Sequence, residues 1–289
     1  MPELASTAAD RGGRRGGRAA RAFPKHAVLI VFALVTLIPL YFLLVNSFKS
    51  QAEYLTNPYG LPGDPTLATL KDAFRGGELL RWLGNSALFT VASVTASTLV
   101  AAMAAYPISL MRWRPGGFLI GALVALMVVP PIVLVVPLFK MMVDLGQLNS
   151  YHSVIIVYTG ILLPFSTFLL ASFFRTTPRD LMDAARLDGA GHVRTWWSIV
   201  LPLAVPALIT VATVQALWVW NEVLIAVVFL QSEELRTLMV GITLFQSRYD
   251  LNVPLVMAGM LWATIPMVVL YLVLQRFFVR GLTAGAVKG

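Results

Sequence analysis

Polar residues that could carry chemistry are few in this chain, and they fall into two groups. The first is the stretch DAARLDGAG at residues 183–191, which places two aspartates, an arginine and two glycines between long apolar segments. The second lies within the apolar sequence VQALWVWNEVLIAVVFL and comprises Gln215, Trp218, Asn221 and Glu222. On a continuous helix, residues 215, 218 and 222 share one face. The second group therefore predicts a polar strip on an apolar element.

Neither group has the composition of an active site or a metal centre. The chain contains no cysteine, and its three histidines (His26, His152 and His192) have no metal-ligand spacing. It has no Ser/His/Asp set and no paired carboxylates that would face one cavity. The phosphate-binding pattern G-x-x-x-x-G-K-[ST] is absent, so the chain does not hydrolyse ATP itself. We therefore predict no catalytic residue, no metal site and no bound cofactor.

The elements that must hold these groups are membrane helices. Hydrophobic residues make up 58% of the 289 residues and charged residues only 12%, which is far from the balance of a soluble domain. The apolar residues gather in blocks long enough for helices of roughly 20 residues that cross the hydrocarbon core. The first block lacks a small-residue cleavage site, so we expect a retained helix. The sequence thus predicts an all-α membrane protein with six spans, at about 27–48, 84–111, 118–142, 151–174, 204–230 and 254–278.

The distribution of lysine and arginine predicts the orientation of these spans. With both termini in the cytoplasm, the cytoplasmic segments hold 15 of the 22 basic residues, in agreement with the positive-inside rule. The net charge of +8 therefore reflects orientation in the membrane, and we predict no nucleic-acid partner. Residues 1–26 are rich in Gly, Ala and Arg, and we expect a disordered cytoplasmic tail near anionic lipid headgroups. An RNA-binding arm is the alternative that this composition leaves open.

Small residues in the second span predict close helix packing. Ser93, Ser97, Ala101 and Ala105 recur every four residues and form a strip of small side chains along one helix face. Such a strip lets another backbone approach closely. We expect plain helix packing there.

Glu222 leaves two interpretations open. An ionisable residue inside a span is costly and usually faces a water-filled path or a buried partner. Glu222 could line a path together with Gln215, Trp218 and Asn221, or it could accept hydrogen bonds from a neighbouring helix. No intramembrane Asp, Lys or Arg obviously answers it as a charge partner.

Residues 175–203 form the longest interior cytoplasmic loop, and their sequence predicts two short helices joined by a turn. Thr177 can cap the first helix and Pro178 suits its first turn. Gly189 permits a tight change of direction, and a second, basic and aromatic helix at 192–198 leads back to the membrane. Small surface residues suit insertion of this loop into a groove on another protein.

The spacing across this loop resembles the EAA motif of ABC importer permeases. Seven residues match the motif, with Asp in place of the usual Glu: Asp183, Ala184, Ala185, Gly189, Ile199, Leu201 and Pro202. The resemblance implies that they belong to a coupling helix, which docks into a cleft on a separate ATP-hydrolysing subunit.

Two further stretches resemble the carbohydrate-uptake branch of that family. The sequence WNEVLIAVVFL is similar to the Trp-Asn-Asp/Glu signature of carbohydrate permeases, and the ending GLTAGAVKG resembles the C-terminus of the smaller permease subunit of maltose-type transporters. In that subunit the tail reaches the ATPase dimer, which implies contacts from Gly285, Val287 and Lys288. The resemblance implies the type I permease fold, with a transmembrane domain at 27–280 and a cytoplasmic C-terminal tail at 281–289.

The resemblance also implies an assembly and a function. The chain would be a permease subunit of an ATP-driven importer in the bacterial cytoplasmic membrane, forming half of the path for a sugar or oligosaccharide. Its partners would be membrane lipid, a second permease subunit, two copies of an ATPase that binds ATP and Mg²⁺, and an extracytoplasmic sugar-binding protein on loops 49–83 and 231–253. Two alternatives stay open. One is a permease for a polyamine or glycerol-3-phosphate. The other is a secondary transporter that works alone, which the lack of internal repeat symmetry disfavours.

Overall fold

Helices form all of the regular structure in the residues that the computed structural model describes. The backbone is described for residues 6–74, 77–111, 115–244 and 252–286. Side chains are described for residues 26, 28–74, 77–111, 115–243 and 252–275. In chain order the helices are α1 (Ser6–Ser47), α2 (Gln51–Thr56), α3 (Ala68–Asp72), α4 (Glu78–Leu110), α5 (Gly116–Met127), α6 (Pro131–Asp144), α7 (Tyr151–Phe174), α8 (Arg179–Leu187), α9 (His192–Thr195), α10 (Leu201–Asn221), α11 (Leu224–Phe229), α12 (Leu238–Leu244) and α13 (Val253–Ala286). The prediction of an all-α membrane protein is confirmed.

Among the described residues, five helices are long and apolar enough to cross a membrane. They are Val28–Ser47 within α1, α4, α7, the continuous helix His192–Asn221, and Val253–Gln275 within α13. Three of them coincide with the predicted first, fourth and sixth spans to within a few residues, and α4 matches the second span but begins at Glu78 instead of about residue 84. The helix His192–Asn221 overlaps the predicted fifth span but begins earlier and ends earlier.

The predicted third span at 118–142 is not one straight helix. α5 and α6 are bent by 98° at a short break between Met127 and Pro131. The consecutive prolines explain the break, because Pro131 disfavours a helical conformation at Pro130 and neither ring nitrogen can donate a hydrogen bond. Pro130 is extended, and Pro131 then begins α6 at the position where proline is best tolerated. Six spans are reached only if this bent pair counts as one crossing.

The helices at both ends of the chain extend into the predicted tails. α1 is helical from Ser6, within the stretch that we expected to be a disordered tail, and α13 continues to Ala286, within the predicted C-terminal tail. A helix that has already formed extends easily, because each added residue gains one hydrogen bond. Alanine and arginine, which are frequent in the first segment, are also strong helix formers.

The strip of small residues on α4 packs as predicted. Ser93, Ser97, Ala101 and Ala105 are all fully buried, and α7 is the helix against which α4 packs most extensively. Side chains of this size let two helix backbones approach closely over a long contact. The α4–α7 pair forms the centre of the bundle.

Gln215 ties α10 to this pair. Its side chain is 1% exposed, and its Nε2 donates to the hydroxyls of Ser97 on α4, at 3.2 Å, and Ser166 on α7. Thr98 of α4 donates its hydroxyl to the Gln215 Oε1 at 3.4 Å. Buried polar groups need such partners, so this cluster fixes the mutual position of three helices.

Gly241 of α12 allows α12 to lie directly on the ring of Trp82 in α4. A Cβ at Gly241 would overlap the indole ring. We expect Gly241→Ala to lower stability by about 1–3 kcal/mol through overpacking, measured by thermal unfolding of the purified protein. Gly160→Ala in α7 is the matched control, because a Cβ there has no heavy atom within 4 Å and alanine favours a helix. Equal effects of the two substitutions would contradict this packing.

Candidate functional site

α8, the first helix of the charged loop, begins without a side-chain cap. Its N-cap is Pro178, in an extended conformation. Thr177 lies in the turn that follows α7, where its N–H donates to the Phe174 carbonyl at 3.0 Å. The predicted cap by Thr177 is therefore wrong, because Pro178 separates it from the helix. Asp180 in the first turn and Arg186 in the last turn instead complement the helix dipole.

The turn after α8 is closed by two backbone hydrogen bonds around Gly189. The Gly189 N–H donates to the Arg186 carbonyl at 3.0 Å, and the Ala190 N–H donates to the Ala185 carbonyl at 2.9 Å, which is the Schellman pattern of a helix end. Gly189 has a φ of +73°, a conformation that glycine adopts without steric cost. The predicted change of direction at Gly189 is confirmed. We call the unit formed by α8, this turn and α9 the elbow (residues 179–195).

The two adjacent alanines of the elbow have different surroundings. Ala185 is 5% exposed, and Met182, one turn earlier, packs into the apolar cluster formed with α4, α7 and α10. Ala184 is exposed, as is Asp183, whose carboxylate pairs with Arg186 at 3.3 Å on the surface. Within this triplet, Asp183 and Ala184 are available to a partner, whereas Ala185 supports the fold.

The remaining residues of the motif lie where the elbow joins the bundle. α9 continues through a π-helical turn of 5 residues into α10, so the second short helix does not end before Pro202 as the sequence predicted. Pro202 has no N–H to donate to the preceding turn, which accounts for the wider turn. Ile199 and Leu201 pack against the apolar cluster of the bundle. Trp196 anchors the same region by donating its Nε1–H to the Ala102 carbonyl of α4 at 3.2 Å.

Three large apolar side chains beside the turn are exposed. Leu187 is 90% exposed, Val193 80% and Trp197 65%. None of the three was predicted from the sequence as part of the site. Together with Asp183 and Ala184 they form a surface that we call the elbow surface. Exposed apolar groups on a rigid turn suit contact with another protein.

The four residues of the second polar group do not form one strip. α10 ends at Asn221, and Glu222 is extended, so Glu222 does not continue the helical face of Gln215 and Trp218. Gln215 is buried between three helices, whereas Asn221 is exposed and donates its Nδ2–H to the Leu217 carbonyl of its own helix at 2.7 Å. The predicted shared face is therefore wrong, because the helix breaks before residue 222.

Glu222 caps α11 and accepts a hydrogen bond from α7. Its Oε1 accepts the Ile225 N–H at 2.8 Å, and its Oε2 accepts the Ala226 N–H at 3.0 Å and the Tyr158 hydroxyl at 2.7 Å. The first amides of a helix have no partner within the helix, and a carboxylate satisfies them and complements the helix dipole. This is the geometry of the second interpretation, in which Glu222 accepts hydrogen bonds from a neighbouring helix. Tyr158 was missed by the sequence analysis.

Trp218, together with Gln215, lines a sizeable cavity. The cavity has a volume of about 550 Å³ and lies between the α5–α6 pair, α7 and α10. Its lining is mostly apolar and includes Leu134 and Ile161. The Trp218 ring meets the Tyr158 ring edge to face, with centroids 5.8 Å apart. Tyr158 therefore contacts both Trp218 and Glu222.

Two asparagines that the sequence analysis did not identify hold the chain at the end of the bundle opposite the elbow. Asn85 donates its Nδ2–H groups to the carbonyls of Glu234 and Arg236 at 2.7 and 3.0 Å. Asn149 accepts the amides of Gln231 and Ser232 at 2.9 and 3.0 Å. These bonds fasten the segment between α11 and α12 to α4 and to the start of α7.

The remaining predictions for the site concern the C-terminal tail and metals. Gly285 lies in the last turns of α13, and Val287 and Lys288 lie outside the described residues. Within the part of the chain that the structure describes, no group of three or more His, Asp or Glu side chains could hold a metal ion.

Sequence comparison relates the chain to a family of membrane transport proteins. Residues 97–283 match the family described as binding-protein-dependent transport system inner membrane component. The chain is 33% identical to a melibiose/raffinose/stachyose import permease protein of Bacillus subtilis, over 94% of this chain and 100% of that protein. It is 34% identical to a trehalose/maltose transport system permease protein of Thermococcus litoralis, over 90% of this chain and 94% of that protein.

Structural comparison gives a similar result. The fold superposes on a chain of a bacterial ABC transporter involved in the import of the acidic polysaccharide alginate, with a TM-score of 0.78 and 26% identity. The match covers 90% of this chain and 98% of that chain. A chain of the methionine ABC transporter shares the fold at a TM-score of 0.54 and 17% identity, over 70% of this chain and 95% of that chain.

Removing the Glu222 carboxylate is expected to destabilise the junction of α10 and α11. Glu222→Ala leaves two amides and the Tyr158 hydroxyl without their acceptor, so we expect stability to fall by about 1–3 kcal/mol. Glu222→Gln keeps the shape and one acceptor oxygen and should cost less. Denaturant or thermal unfolding of the purified protein measures both. Asn221→Ala is the adjacent control and should have little effect, because its side chain bonds only its own helix.

A double-mutant cycle with Tyr158→Phe separates the two interpretations of Glu222. If Glu222 anchors α7, the two substitutions should couple by roughly 0.5–3 kcal/mol. Additive effects, together with altered transport and unchanged stability in Glu222→Gln, would instead support a direct role in the path.

Proposed function

The chain belongs to the family of binding-protein-dependent transport system inner membrane components. From that premise we propose that it forms half of the translocation path of an ATP-driven sugar importer. In this proposal the chain couples to a separate ATPase through the elbow surface. The observation that carries the coupling role is the exposure of apolar side chains on a rigid turn. Leu187 and Val193 project from an elbow whose backbone is closed at Gly189 and whose inner side packs on the bundle, and Trp197 is exposed just beyond its end.

A docking role for the elbow is supported by the division of its residues into a side buried against the bundle and an exposed outer side. Ala185 and Met182 are buried against the protein itself, and the Schellman turn fixes the angle between α8 and α9. A preformed surface loses little conformational entropy when a partner binds. Asp183 and the small Ala184 would then face the cleft of the ATPase. ATP hydrolysis by that partner fits the absence of a phosphate-binding motif in this chain.

The continuous helix His192–Asn221 supports a lever mechanism. It begins inside the elbow and ends at the Glu222 junction, which lies next to the cavity that Trp218 lines. A displacement of the elbow by closure of the ATPase dimer would pass along this helix without an intervening loop. Rigid-body motions of this kind switch transporters between two orientations.

The orientation in the bacterial cytoplasmic membrane supports the same assignment. The positive-inside rule favours the elbow and both termini in the cytoplasm. If the bent α5–α6 pair counts as one crossing, the chain would have the six crossings of a type I permease. A second permease subunit would enclose the other half of the path, and two ATPase copies would each bind one elbow.

The substrate class follows from relatives rather than from a complete binding site. The relatives with known substrates named above import melibiose, raffinose, stachyose, trehalose or maltose. The stretch Trp220-Asn221-Glu222 resembles the carbohydrate-permease signature. The half-buried Trp218 ring offers an apolar face within the cavity. An extracytoplasmic sugar-binding protein would dock on loops 49–83 and 231–253, where Asn85 and Asn149 fasten the segment before α12.

Adjacent alanines give a sharp test of the coupling surface. We expect Ala184→Arg to leave the fold intact but to reduce ATPase stimulation by the binding protein, because Ala184 is exposed on the elbow surface. Ala185→Arg should instead destabilise the chain by several kcal/mol, because it buries an unpaired charge against the bundle. Stimulated ATPase activity of the reconstituted complex and thermal unfolding of the chain measure the two effects separately.

Leu187→Asp should reproduce the effect of Ala184→Arg, since it places a carboxylate in the same surface. Leu145→Asp is the control, because Leu145 is also exposed but lies after α6, away from the elbow. Full ATPase stimulation in both Ala184→Arg and Leu187→Asp would refute coupling through the elbow surface.

The C-terminal tail gives an independent test. Deleting residues 282–289 should lower ATPase stimulation without blocking insertion, because these residues follow the candidate span Val253–Gln275. Membrane insertion is measured by extraction and ATPase stimulation by the reconstituted assay. Unchanged transport by the truncated protein would show that the tail does not contact the ATPase.

A further inference from the structure

The segment after α1 folds back along that helix instead of leading away from it. We call residues 51–61 the return loop; it comprises α2 and the turn that follows. The Tyr41 hydroxyl of α1 donates to the Tyr59 carbonyl at 3.1 Å. The ring of Phe42 lies 6.2 Å from the ring of Tyr59 and 6.5 Å from that of Tyr54, measured between centroids.

These contacts place part of the return loop beside the apolar helix. Tyr41 lies inside the candidate span Val28–Ser47, six residues before its end. At a helical rise of 1.5 Å per residue, Tyr41 is about 9 Å from the end of that span. Because Tyr59 is hydrogen-bonded to Tyr41, its backbone lies alongside the last turns of the candidate span.

A buried lysine holds the return loop in this position. Lys49 is fully buried, and its Nζ donates to the carbonyls of Asn57 and Gly60 at 2.6 and 2.7 Å. The Asn57 side chain closes the same turn, because its Oδ1 accepts the Gly60 N–H at 2.9 Å and its Nδ2–H donates to the Leu61 carbonyl at 3.2 Å. The turn is therefore fixed by four hydrogen bonds.

The return loop presents large apolar side chains outward. Leu55 is 71% exposed, Tyr59 78% and Leu61 70%. The candidate span in α1 is itself largely exposed, with 6% of its residues buried, and Tyr59 packs on Phe42 near its end. The polar residues nearby line a separate cavity of about 600 Å³, which includes Glu53 and Asp64 but none of the three. The segment thus separates an apolar surface from a polar one.

We propose that the return loop is a membrane anchor whose Leu55, Tyr59 and Leu61 side chains lie among lipids in the interfacial layer at the C-terminal end of the α1 span. Tyrosine is favoured in that layer, because its ring is apolar and its hydroxyl reaches water or headgroups. A short element with apolar groups on one side and polar groups on the other suits a position in the plane of the interface. The anchor goes beyond the proposed transport function and does not depend on coupling to an ATPase.

Single cysteines can test this placement, since the natural sequence contains none. Leu55→Cys, Tyr59→Cys and Leu61→Cys are each labelled with an environment-sensitive fluorophore in the assembled transporter, reconstituted in lipid nanodiscs. Quenching is measured with lipids that carry a doxyl group high on the acyl chain and with aqueous iodide. Asp64→Cys is the matched control, because Asp64 is exposed just after the return loop but lines the polar cavity. Leu37→Cys, in the middle of the α1 span, gives the depth reference.

We expect the three return-loop labels to emit at shorter wavelength than the Asp64 label, to be quenched by the doxyl lipid and to be protected from iodide. Labels quenched by iodide but not by lipid would overturn the proposal, because the loop would then lie in water. Protection from both quenchers would overturn it in favour of contact with the second permease. Protection that arises only when the binding protein is added would overturn it in favour of a docking surface. ATPase activity measured on the same samples reports on the transport assignment separately.

Discussion

Backbone amides that a helix break frees inside a membrane have no water to which they can donate a hydrogen bond. The arrangement of this bundle follows from how the chain supplies acceptors for these amides. Where the fifth span breaks, Glu222 accepts the amides of Ile225 and Ala226, and Tyr158 of α7 completes the site. Each unsatisfied amide in hydrocarbon would cost several kcal/mol. Among the described residues no basic side chain pairs with Glu222, and three hydrogen-bond donors surround its carboxylate instead. The same site fixes the direction of α11 and the ring of Tyr158 that supports Trp218.

The same constraint is met differently at other helix ends. At the 98° bend the two prolines remove donors instead of supplying an acceptor, so fewer amides need a partner. At the elbow, the chain doubles back through Gly189, whose turn uses backbone carbonyls of α8 as acceptors. Each of these helix ends also sets the direction in which the chain continues. As a result, the elbow surface and the Trp218 cavity lie at the two ends of one continuous helix, His192–Asn221.

How much the sequence reveals depends on whether a feature is encoded locally. Apolar blocks predicted the spans, and Gly189 predicted the elbow, because hydrophobic length and a left-handed turn each depend on a few neighbouring residues. The break at Glu222 could not be seen, since VWNEVLI reads as one apolar helix unless the Tyr158 hydroxyl is known to be near. The roles of Ala184 and Ala185 were equally hidden, because which of two adjacent alanines faces inward depends on how α8 docks on the bundle. One signal was overlooked: Leu187 is out of helical phase with the buried Met182 and Ala185, which marks it as exposed.

Burial is unevenly distributed among the spans, and this bears on how the chain assembles. The apolar windows of α4 and α7 are 39% and 44% buried within the chain, but that of α1 is only 6% buried. A bundle that needed no partner would gain stability by packing its first helix against α4 and α7, whose small residues already allow close approach. In this chain α1 instead contacts chiefly α13, and the return loop is fixed to its end by Lys49 and Tyr41. The apolar span of α1 is therefore largely uncovered within this chain, while Gln215 joins α4, α7 and α10 through buried hydrogen bonds.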